Sequence, residues 1–169
     1  ATGEQELTGR SVAVLGCGDW GKNLVRNFHA LGALAAVADV SPPGRATAAR
    51  IAPGAGIHDR LDAALDDPSI AGVVISTPAE THAELTERAL LAGKHVLCEK
   101  PLANDYRETR RAADLAKAKG LKTKLGFTFR YSPGVQYARS LIDEGFTGIP
   151  FLFNGFEQNS QWLDPKVPL

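Results

Sequence analysis

A glycine-rich turn is the first place where residue types and spacing indicate chemistry. Gly16-Cys17-Gly18-Asp19-Trp20-Gly21 has the spacing G-x-G-x-x-G and follows an apolar segment at 11–15. In dinucleotide-binding folds the first glycine permits a tight turn, the second lets a pyrophosphate approach the backbone, and the third lets helix and strand pack closely. Backbone N–H groups at the start of the helix then bind the anion. The motif predicts a phosphate site, with these candidate cofactor-binding residues: Gly16, Gly18, Asp19, Trp20 and Gly21.

An aspartate at the end of the next apolar segment extends this prediction. Asp39 lies 39 − 16 = 23 positions after the first glycine, close to the roughly 20 positions typical of a carboxylate that binds a ribose. We expect Asp39 to accept hydrogen bonds from both adenosine ribose hydroxyls, the alternative being a solvated aspartate at a strand end. Because the carboxylate repels a 2′-phosphate, NAD is favoured over NADP. Arg45 is the nearby residue that could bind a 2′-phosphate and so reverse that preference.

Polar residues also follow a third apolar segment, 71–76. Thr77 offers a hydroxyl there, and Pro78 is placed to begin a helix. Ligands bind beyond the carboxyl ends of strands in open α/β sheets, so both are candidates for the same site. His82 shares a predicted helix face with Leu85 and Ala89. Two interpretations of His82 therefore remain open. It is either a buried histidine whose nitrogens are hydrogen-bonded within the protein, or a histidine that contacts the ligand.

A lysine follows the fourth short apolar segment, in Cys98-Glu99-Lys100-Pro101. Beside a nicotinamide, Lys100 would hydrogen-bond a substrate hydroxyl as hydride leaves the same carbon. An exposed surface charge is the alternative, because that is the usual position of lysine. The proline restricts Lys100 to extended backbone geometry, which would orient its side chain reproducibly.

These residues need a scaffold that places them together, and the sequence pattern indicates one. Short apolar segments without strict alternation are typical of parallel strands covered on both faces, and segments with helical spacing lie between them. This order predicts βαβ crossovers and an α/β fold of the Rossmann type, a doubly wound parallel sheet. After residue 126 aromatic residues become frequent, so we expect a domain at 1–126. A second α+β domain would begin in 127–169, with a helix at 135–144 and a strand at 150–157, and be largely missing.

Composition excludes several classes of protein. Lysine plus arginine number 19 and aspartate plus glutamate number 19, so no basic excess favours a nucleic acid partner. No apolar run approaches the roughly 18 residues of a membrane helix, and residues 1–10 resemble a solvated lead-in rather than a secretory signal. The two cysteines lack metal-ligand spacing and indicate reduced thiols, so we expect no metal site and a cytoplasmic location.

Four segments together resemble the glucose-fructose oxidoreductase, inositol dehydrogenase and MocA family. They are the glycine motif, T-P-A-E-T-H at 77–82, G-K-H-V-L-C-E-K-P-L-A at 93–103 and G-F-T-F-R-Y-S-P at 126–133. The resemblance implies an NAD(P)-dependent oxidoreductase acting on a sugar, nucleotide sugar or polyol, and a homo-oligomer. It implies that Lys100 is the active-site lysine. It also implies that Thr77, His82, Glu99 and Lys100 line the cofactor cleft and that Arg130 lies near the nicotinamide.

This sequence differs from members of the family in its length. Members continue into a large antiparallel sheet that carries a further acid/base histidine, and no residue of this chain matches that later motif. A non-catalytic NAD-binding module, such as a redox sensor, is therefore the main alternative, and a plain α/β scaffold without cofactor is a third. Fold and cofactor motifs do not specify the substrate.

Overall fold

The computed structural model describes residues 11–156 of the 169-residue chain. Its strands are β1 (Val12–Leu15), β2 (Leu34–Ala38), β3 (Gly56–His58), β4 (Gly72–Ile75), β5 (His95–Cys98) and β6 (Thr123–Leu125). Its α-helices are α1 (Gly21–Ala30), α2 (Pro42–Ile51), α3 (Asp62–Asp66), α4 (His82–Leu91), α5 (Tyr106–Ala118) and α6 (Pro133–Asp143). Short 3₁₀ turns cover Ala79–Thr81 and Thr128–Tyr131. No helix among these residues is long and apolar enough to cross a membrane.

The six strands form one parallel sheet with the order β3-β2-β1-β4-β5-β6. The strand order reverses between β1 and β4, so the crossovers that lead outward from β1 to β2 and β3 cover one face of the sheet, and those that lead to β4, β5 and β6 cover the other. This confirms the predicted doubly wound fold. In such sheets the reversal opens a crevice at the carboxyl ends of the two central strands.

Apolar side chains on the two sheet faces form two cores, as predicted for strands covered on both sides. Alternate residues of a strand point to opposite faces. Ala13 and Leu15 belong to the core under α3, α4 and α5, whereas Val14 belongs to the core under α1 and α2. Both cores are closed to solvent, and Leu15 and Val14 are fully buried. The packed layers give the strand ends a rigid base.

The sequence predicts a second crossover helix from Arg45 to Ala52, whereas α2 begins earlier, at Pro42. Ser41 is its N-cap residue, and the Ser41 hydroxyl accepts a hydrogen bond from the Gly44 backbone N–H at 3.2 Å. Proline is well tolerated in a first turn because no intrahelical N–H bond is lost there. The cap therefore places the start of α2 directly against the end of β2.

The chain divides into two compact units with the boundary between Phe127 and Thr128. In the second unit α6 forms close to its predicted position, but residues 150–156 have no regular secondary structure. The predicted strand at 150–157 is therefore wrong for its described part, and residue 157 lies outside the described range. A strand needs a partner for its backbone groups, and residues 128–156 contain no other strand.

Candidate cofactor-binding site

The carboxyl ends of the central strands lie in register at one edge of the sheet. Leu15 of β1 pairs with Ala38 of β2 and with Ile75 of β4. The ladder continues one residue further through Gly16 N to Ala38 O (2.8 Å), Ser76 N to Leu15 O (2.8 Å), Glu99 N to Ile75 O (2.9 Å) and Gly126 N to Cys98 O (2.8 Å). The glycine motif and the polar residues after β2, β4 and β5 therefore reach the same edge.

The glycine motif follows β1 in a turn that only glycine accommodates. Gly16 has a φ of +91°, and a Cβ there would lie 2.6 Å from the Ser76 carbonyl oxygen. A Cβ at Gly21 would lie 2.2 Å from the Gly16 carbonyl oxygen, so α1 packs closely on the turn. A Cβ at Gly18 would meet no atom within 4 Å. The backbone at Gly18 thus faces open space at the start of α1, which fits a pyrophosphate.

Asp39 follows β2 beside this turn, and its carboxylate is held by several donors. Oδ2 accepts from the Cys17 N–H at 2.6 Å, and Oδ1 accepts from the Ser41 N–H and hydroxyl, both at 2.7 Å. Burial raises the pKa of Asp39, but these donors and the Arg45 charge outweigh burial and leave the pKa below its usual 3.8. The site therefore holds a carboxylate anion directly beside the glycine turn.

Arg45 lies on α2 and contacts the backbone next to this carboxylate. Its Nη1 donates to the carbonyl oxygens of Asp39 at 3.0 Å and Val40 at 2.9 Å. The guanidinium is therefore engaged in holding the chain between β2 and α2. This contact favours the prediction that Asp39, rather than Arg45, faces the nucleotide ribose.

A cavity of about 530 Å³ opens between these elements, a volume typical of small-molecule sites. It lies over the point where the strand order reverses. Its walls come from the turns after β1, β2 and β4 and from Leu61, and its lining is Gly16, Gly18, Asp39, Val40, Ser41, Leu61, Ser76, Thr77, Pro78 and Thr81. The cavity brings together five of the predicted cofactor residues: Gly16, Gly18, Asp39, Thr77 and Pro78.

Thr77 contributes its hydroxyl to the cavity with a fixed direction. Thr81 Oγ1 donates to the Pro78 carbonyl oxygen at 2.7 Å, and Thr77 Oγ1 lies 2.6 Å from Thr81 Oγ1. A hydroxyl has one hydrogen, so the hydrogen between the two threonines belongs to Thr77. Thr77 is therefore left as an acceptor, which suits a ligand hydroxyl or amide better than a phosphate oxygen.

His82 is buried at the start of α4, with 2% of its surface exposed. Nε2 lies 2.9 Å from the Thr77 carbonyl oxygen, and Nδ1 lies 2.6 Å from the Pro101 carbonyl oxygen. The ring thereby links the segments that follow β4 and β5. Both partners are acceptors, and a neutral ring has a single N–H, so such a ring donates to one carbonyl and packs against the other. Of the two interpretations left open by the sequence, this geometry favours the buried histidine, which supports the site from beneath.

Glu99 is 7% exposed and joins the end of β5 to the glycine motif. Its Oε1 accepts from the Trp20 indole N–H at 2.7 Å, and its Oε2 accepts from the Lys100 N–H at 3.3 Å. A Cβ at Gly126 would lie 2.7 Å from Oε2, so the glycine after β6 leaves room for the carboxylate. Glu99 thus positions the backbone of Lys100 relative to the start of α1.

The remaining candidates differ in their surroundings. Lys100 is exposed, directly after Glu99, and its peptide bond to Pro101 is cis. Asp19 is exposed and forms an ion pair with Lys22 at 3.2 Å. Arg130 lies in the second unit, exposed on the Thr128–Tyr131 turn, where its carbonyl oxygen accepts from the Gln136 side chain. Residues 11–156 contain no cluster of potential metal ligands, so the predicted absence of a metal site stays a prediction.

Sequence reasoning missed the residues that hold the candidate side chains in place. Ser41 and the Cys17 backbone N–H fix the Asp39 carboxylate, and a Cβ at Gly44 would lie 2.4 Å from that carboxylate. A serine followed by two prolines is a helix-start signal that indicates Ser41 as a cap. No local signal indicates its second bond, to Asp39.

Comparison of the sequence with known proteins identifies the family of this chain. The sequence profile described as "Oxidoreductase family, NAD-binding Rossmann fold" (GFO_IDH_MocA) matches residues 10–127. Inositol 2-dehydrogenase of Leifsonia xyli subsp. xyli is 34% identical over 160 residues, which cover 93% of this chain and 46% of that protein.

Two solved structures are similar as well. Scyllo-inositol dehydrogenase from Lactobacillus casei, with bound NAD(H) and scyllo-inositol, is 27% identical with a TM-score of 0.74, covering 83% of this chain and 42% of that one. A 3-ketoreductase from Actinomadura kijaniata, in complex with NADP and TDP-benzene, is 30% identical with a TM-score of 0.72, covering 81% and 43%. This chain spans less than half the length of each of these three proteins. Because the family profile covers more than half of this chain and the fold and glycine turn agree with it, the chain belongs to the GFO_IDH_MocA oxidoreductase family with an NAD-binding Rossmann fold.

Proposed function

We propose that this chain is the cofactor-binding part of an NAD-dependent oxidoreductase. The whole enzyme transfers a hydride between nicotinamide and a hydroxyl or keto carbon of a sugar, nucleotide sugar or polyol. One observation carries the proposal: the glycine turn, Asp39, Thr77 and the Glu99-Lys100 pair follow neighbouring strands at one sheet edge. The inositol dehydrogenase and ketoreductase relatives support this substrate class.

The cofactor-binding roles follow from what each group offers. Gly16, Gly18 and Gly21 let the pyrophosphate approach the start of α1, and the N-terminus of a helix attracts anions. Asp39 offers a carboxylate to the adenosine ribose. Thr77 offers an acceptor further along the cavity, at the end of β4.

The remaining candidate residues support the cofactor contacts rather than make them. Trp20 and Glu99 hold the glycine turn and the end of β5 together, and His82 links the segments after β4 and β5. Pro78 shapes the cavity wall, and Asp19 precedes α1 as part of the motif. Arg130 is proposed for the nicotinamide end, on the family resemblance alone.

Lys100 is the proposed catalytic residue. A bound nicotinamide supplies or accepts the hydride. In the oxidation direction the uncharged Nζ of Lys100 takes the proton that the substrate hydroxyl loses, and in the reduction direction the ammonium returns it. Glu99 fixes the backbone on one side of Lys100 and His82 fixes the carbonyl of Pro101 on the other. The main chain that carries the amine is therefore held from both sides.

Three coarser features of the whole protein are also proposed. Residues 1–126 form the dinucleotide-binding domain and 127–169 begin the substrate domain. Both cysteines are free and buried, which suits a reducing compartment such as the cytoplasm. Exposed apolar side chains of the second unit, such as Phe151 and Phe153, suit burial in that domain and in a homo-oligomer.

The proposal is tested by assaying NADH formation with the full-length protein against inositols, sugars and nucleotide sugars. Lys100→Ala should leave NAD binding intact and lower turnover on the order of a hundredfold or more. Lys100→Arg should not restore turnover, because arginine does not readily release a proton. Lys117→Ala, which removes an exposed lysine of α5, is the control. NAD binding with no turnover of any such compound would favour the non-catalytic module instead.

A further inference from the structure

A second cavity, of about 140 Å³, lies between α4, α5, β5 and β6. Its wall is mostly apolar and includes Thr86 of α4, Val96 and Cys98 of β5, and Ala112 of α5. It shares no lining residue with the cavity of about 530 Å³ beside the glycine turn. The two cavities are therefore separate, and the cofactor contacts described above do not use the second one.

Short side chains leave this space open. The two buried residues of α5 are Ala112 and Ala116, and an alanine fills less of the space between a helix and a sheet than a leucine would. An apolar cavity of about 150 Å³ in a protein core is large enough to bind benzene. The cavity under α5 therefore has the size to hold one six-membered ring.

One residue of the wall carries a buried hydroxyl without a strong hydrogen-bond partner. Thr86 is 3% exposed, and its Oγ1 has no hydrogen-bond partner among residues 11–156. The Cys98 thiol lies beside it, but a thiol is a weak hydrogen-bonding group and this one donates to the Glu99 carbonyl oxygen at 3.4 Å. Because burial of an unpaired hydroxyl is costly, buried hydroxyls in proteins are nearly always paired. The Thr86 hydroxyl therefore indicates a polar atom inside the cavity.

Water fits this cavity less well than an organic molecule does. A water molecule takes up about 30 Å³, so several would be needed to fill the space. Each buried water requires two to four polar partners, and a mostly apolar wall offers few. A molecule with an apolar body and one polar group satisfies both the wall and the Thr86 hydroxyl.

We propose that the cavity between α4, α5, β5 and β6 is a binding site for a small, mostly apolar molecule of about the size of benzene that carries one hydroxyl group, as phenol does. The ring occupies the space beside Val96 and Ala112, and the ligand hydroxyl pairs with Thr86 Oγ1. A hydroxyl both donates and accepts, so this pairing is possible in either direction.

The position of the cavity gives such a ligand an entrance and a contact with the proposed catalytic segment. Thr123 and Lys124 of the wall are exposed, so the cavity reaches the surface at the β6 edge of the sheet. Cys98 and Leu102 of the wall lie two positions before and two positions after Lys100. A bound ligand therefore contacts both ends of the segment that carries this lysine.

The inference is tested by titrating the full-length protein with phenol and with benzene and measuring both affinities by ligand-observed NMR. In the wild-type protein phenol should bind about threefold to tenfold more tightly than benzene, because only phenol pairs the Thr86 hydroxyl. In Thr86→Val this preference for phenol should disappear while benzene still binds. In Ala112→Leu both ligands should lose their affinity, since the larger side chain occupies the cavity.

Matched variants keep the test interpretable. Valine has the shape of threonine, and Thr86→Val removes a hydroxyl without a strong partner, so the variant should stay folded. Circular dichroism with thermal melting checks the fold of each variant. Ala118→Leu is the control for Ala112→Leu, because Ala118 is exposed on the same helix and does not line the cavity. It should leave both affinities unchanged.

Three results would overturn the inference. One is the absence of phenol binding by the folded wild-type protein. Another is an unchanged preference for phenol in Thr86→Val, since the ligand hydroxyl would then not pair with Thr86. The third is undiminished binding by a folded Ala112→Leu protein, because the ligand would then occupy a different place.

Discussion

Removal of the Trp20 indole N–H should loosen the connection between the glycine turn and the end of β5. In Trp20→Phe an aromatic ring remains, but Glu99 Oε1 loses its donor at 2.7 Å. Glu99 is 7% exposed and keeps the longer contact to the Lys100 N–H, at 3.3 Å. A hydrogen bond to a buried charged group contributes about 1.5–3 kcal/mol, and because Trp20 is 50% exposed we expect the lower end, about 1.5 kcal/mol.

Urea denaturation of a double-mutant cycle measures this interaction directly. The four proteins are the wild type, Trp20→Phe, Glu99→Gln and the double variant, and the coupling energy should be about 1 kcal/mol or more. Tyr106→Phe is the control, since Tyr106 is 80% exposed and the change removes one polar atom from an aromatic side chain. We expect it to alter the free energy of unfolding by less than about 0.5 kcal/mol.

Additive effects in this cycle, within about 0.3 kcal/mol, would refute the reasoning. The hydrogen bond between Trp20 and Glu99 would then contribute nothing to the free energy of unfolding, and other groups would position Lys100. Slower turnover in Trp20→Phe at unchanged NAD affinity would agree with a positioning role for the Glu99 contact.

Three further predictions concern buried titratable groups. His82→Ala leaves the carbonyl oxygens of Thr77 and Pro101 without the ring and should lower the free energy of unfolding by about 2–4 kcal/mol, measured with urea. Burial raises the pKa of Cys98 to about 11, so iodoacetamide at pH 8 should label this thiol only after unfolding; rapid labelling of folded protein would contradict this. The folded-state pKa of Asp39 is lowered, so its ionised form stabilises the fold above about pH 4. The stability advantage over Asp39→Asn should shrink as pH falls through that pKa, and a pH-independent difference would oppose this.

The sequence predicted the parts of the fold that depend on local pattern. The parallel strands, the helices between them and the glycine turn all follow from apolar periodicity and glycine spacing over short stretches. Asp39 was predicted at the site for the same reason, since its distance from Gly16 is set by one βαβ unit. The resemblance to the family was drawn from such short motifs and is confirmed by the match over residues 10–127.

The contacts that position these residues were not predictable in the same way. Trp20 and Glu99 are 79 positions apart, and their hydrogen bond depends on the register of β1, β4 and β5 together. The two ring contacts of His82 depend likewise on the packing of α4 against two loops. The predicted strand at 150–157 failed for a related reason: apolar sequence indicates a capacity to pair, but a strand also needs a neighbour.

Titration calorimetry with NAD and NADP tests the central claim most directly, that the edge formed by β1, β2, β4 and β5 is an NAD site. The account predicts one NAD bound per chain, weaker binding of NADP, and a loss of NAD affinity of about tenfold or more in Asp39→Ala, in agreement with a charge-assisted hydrogen bond to the ribose. Tighter binding of NADP, with Arg45→Ala abolishing that preference, would contradict the assignment of Asp39. Undiminished NAD binding by Asp39→Ala would place the nucleotide elsewhere.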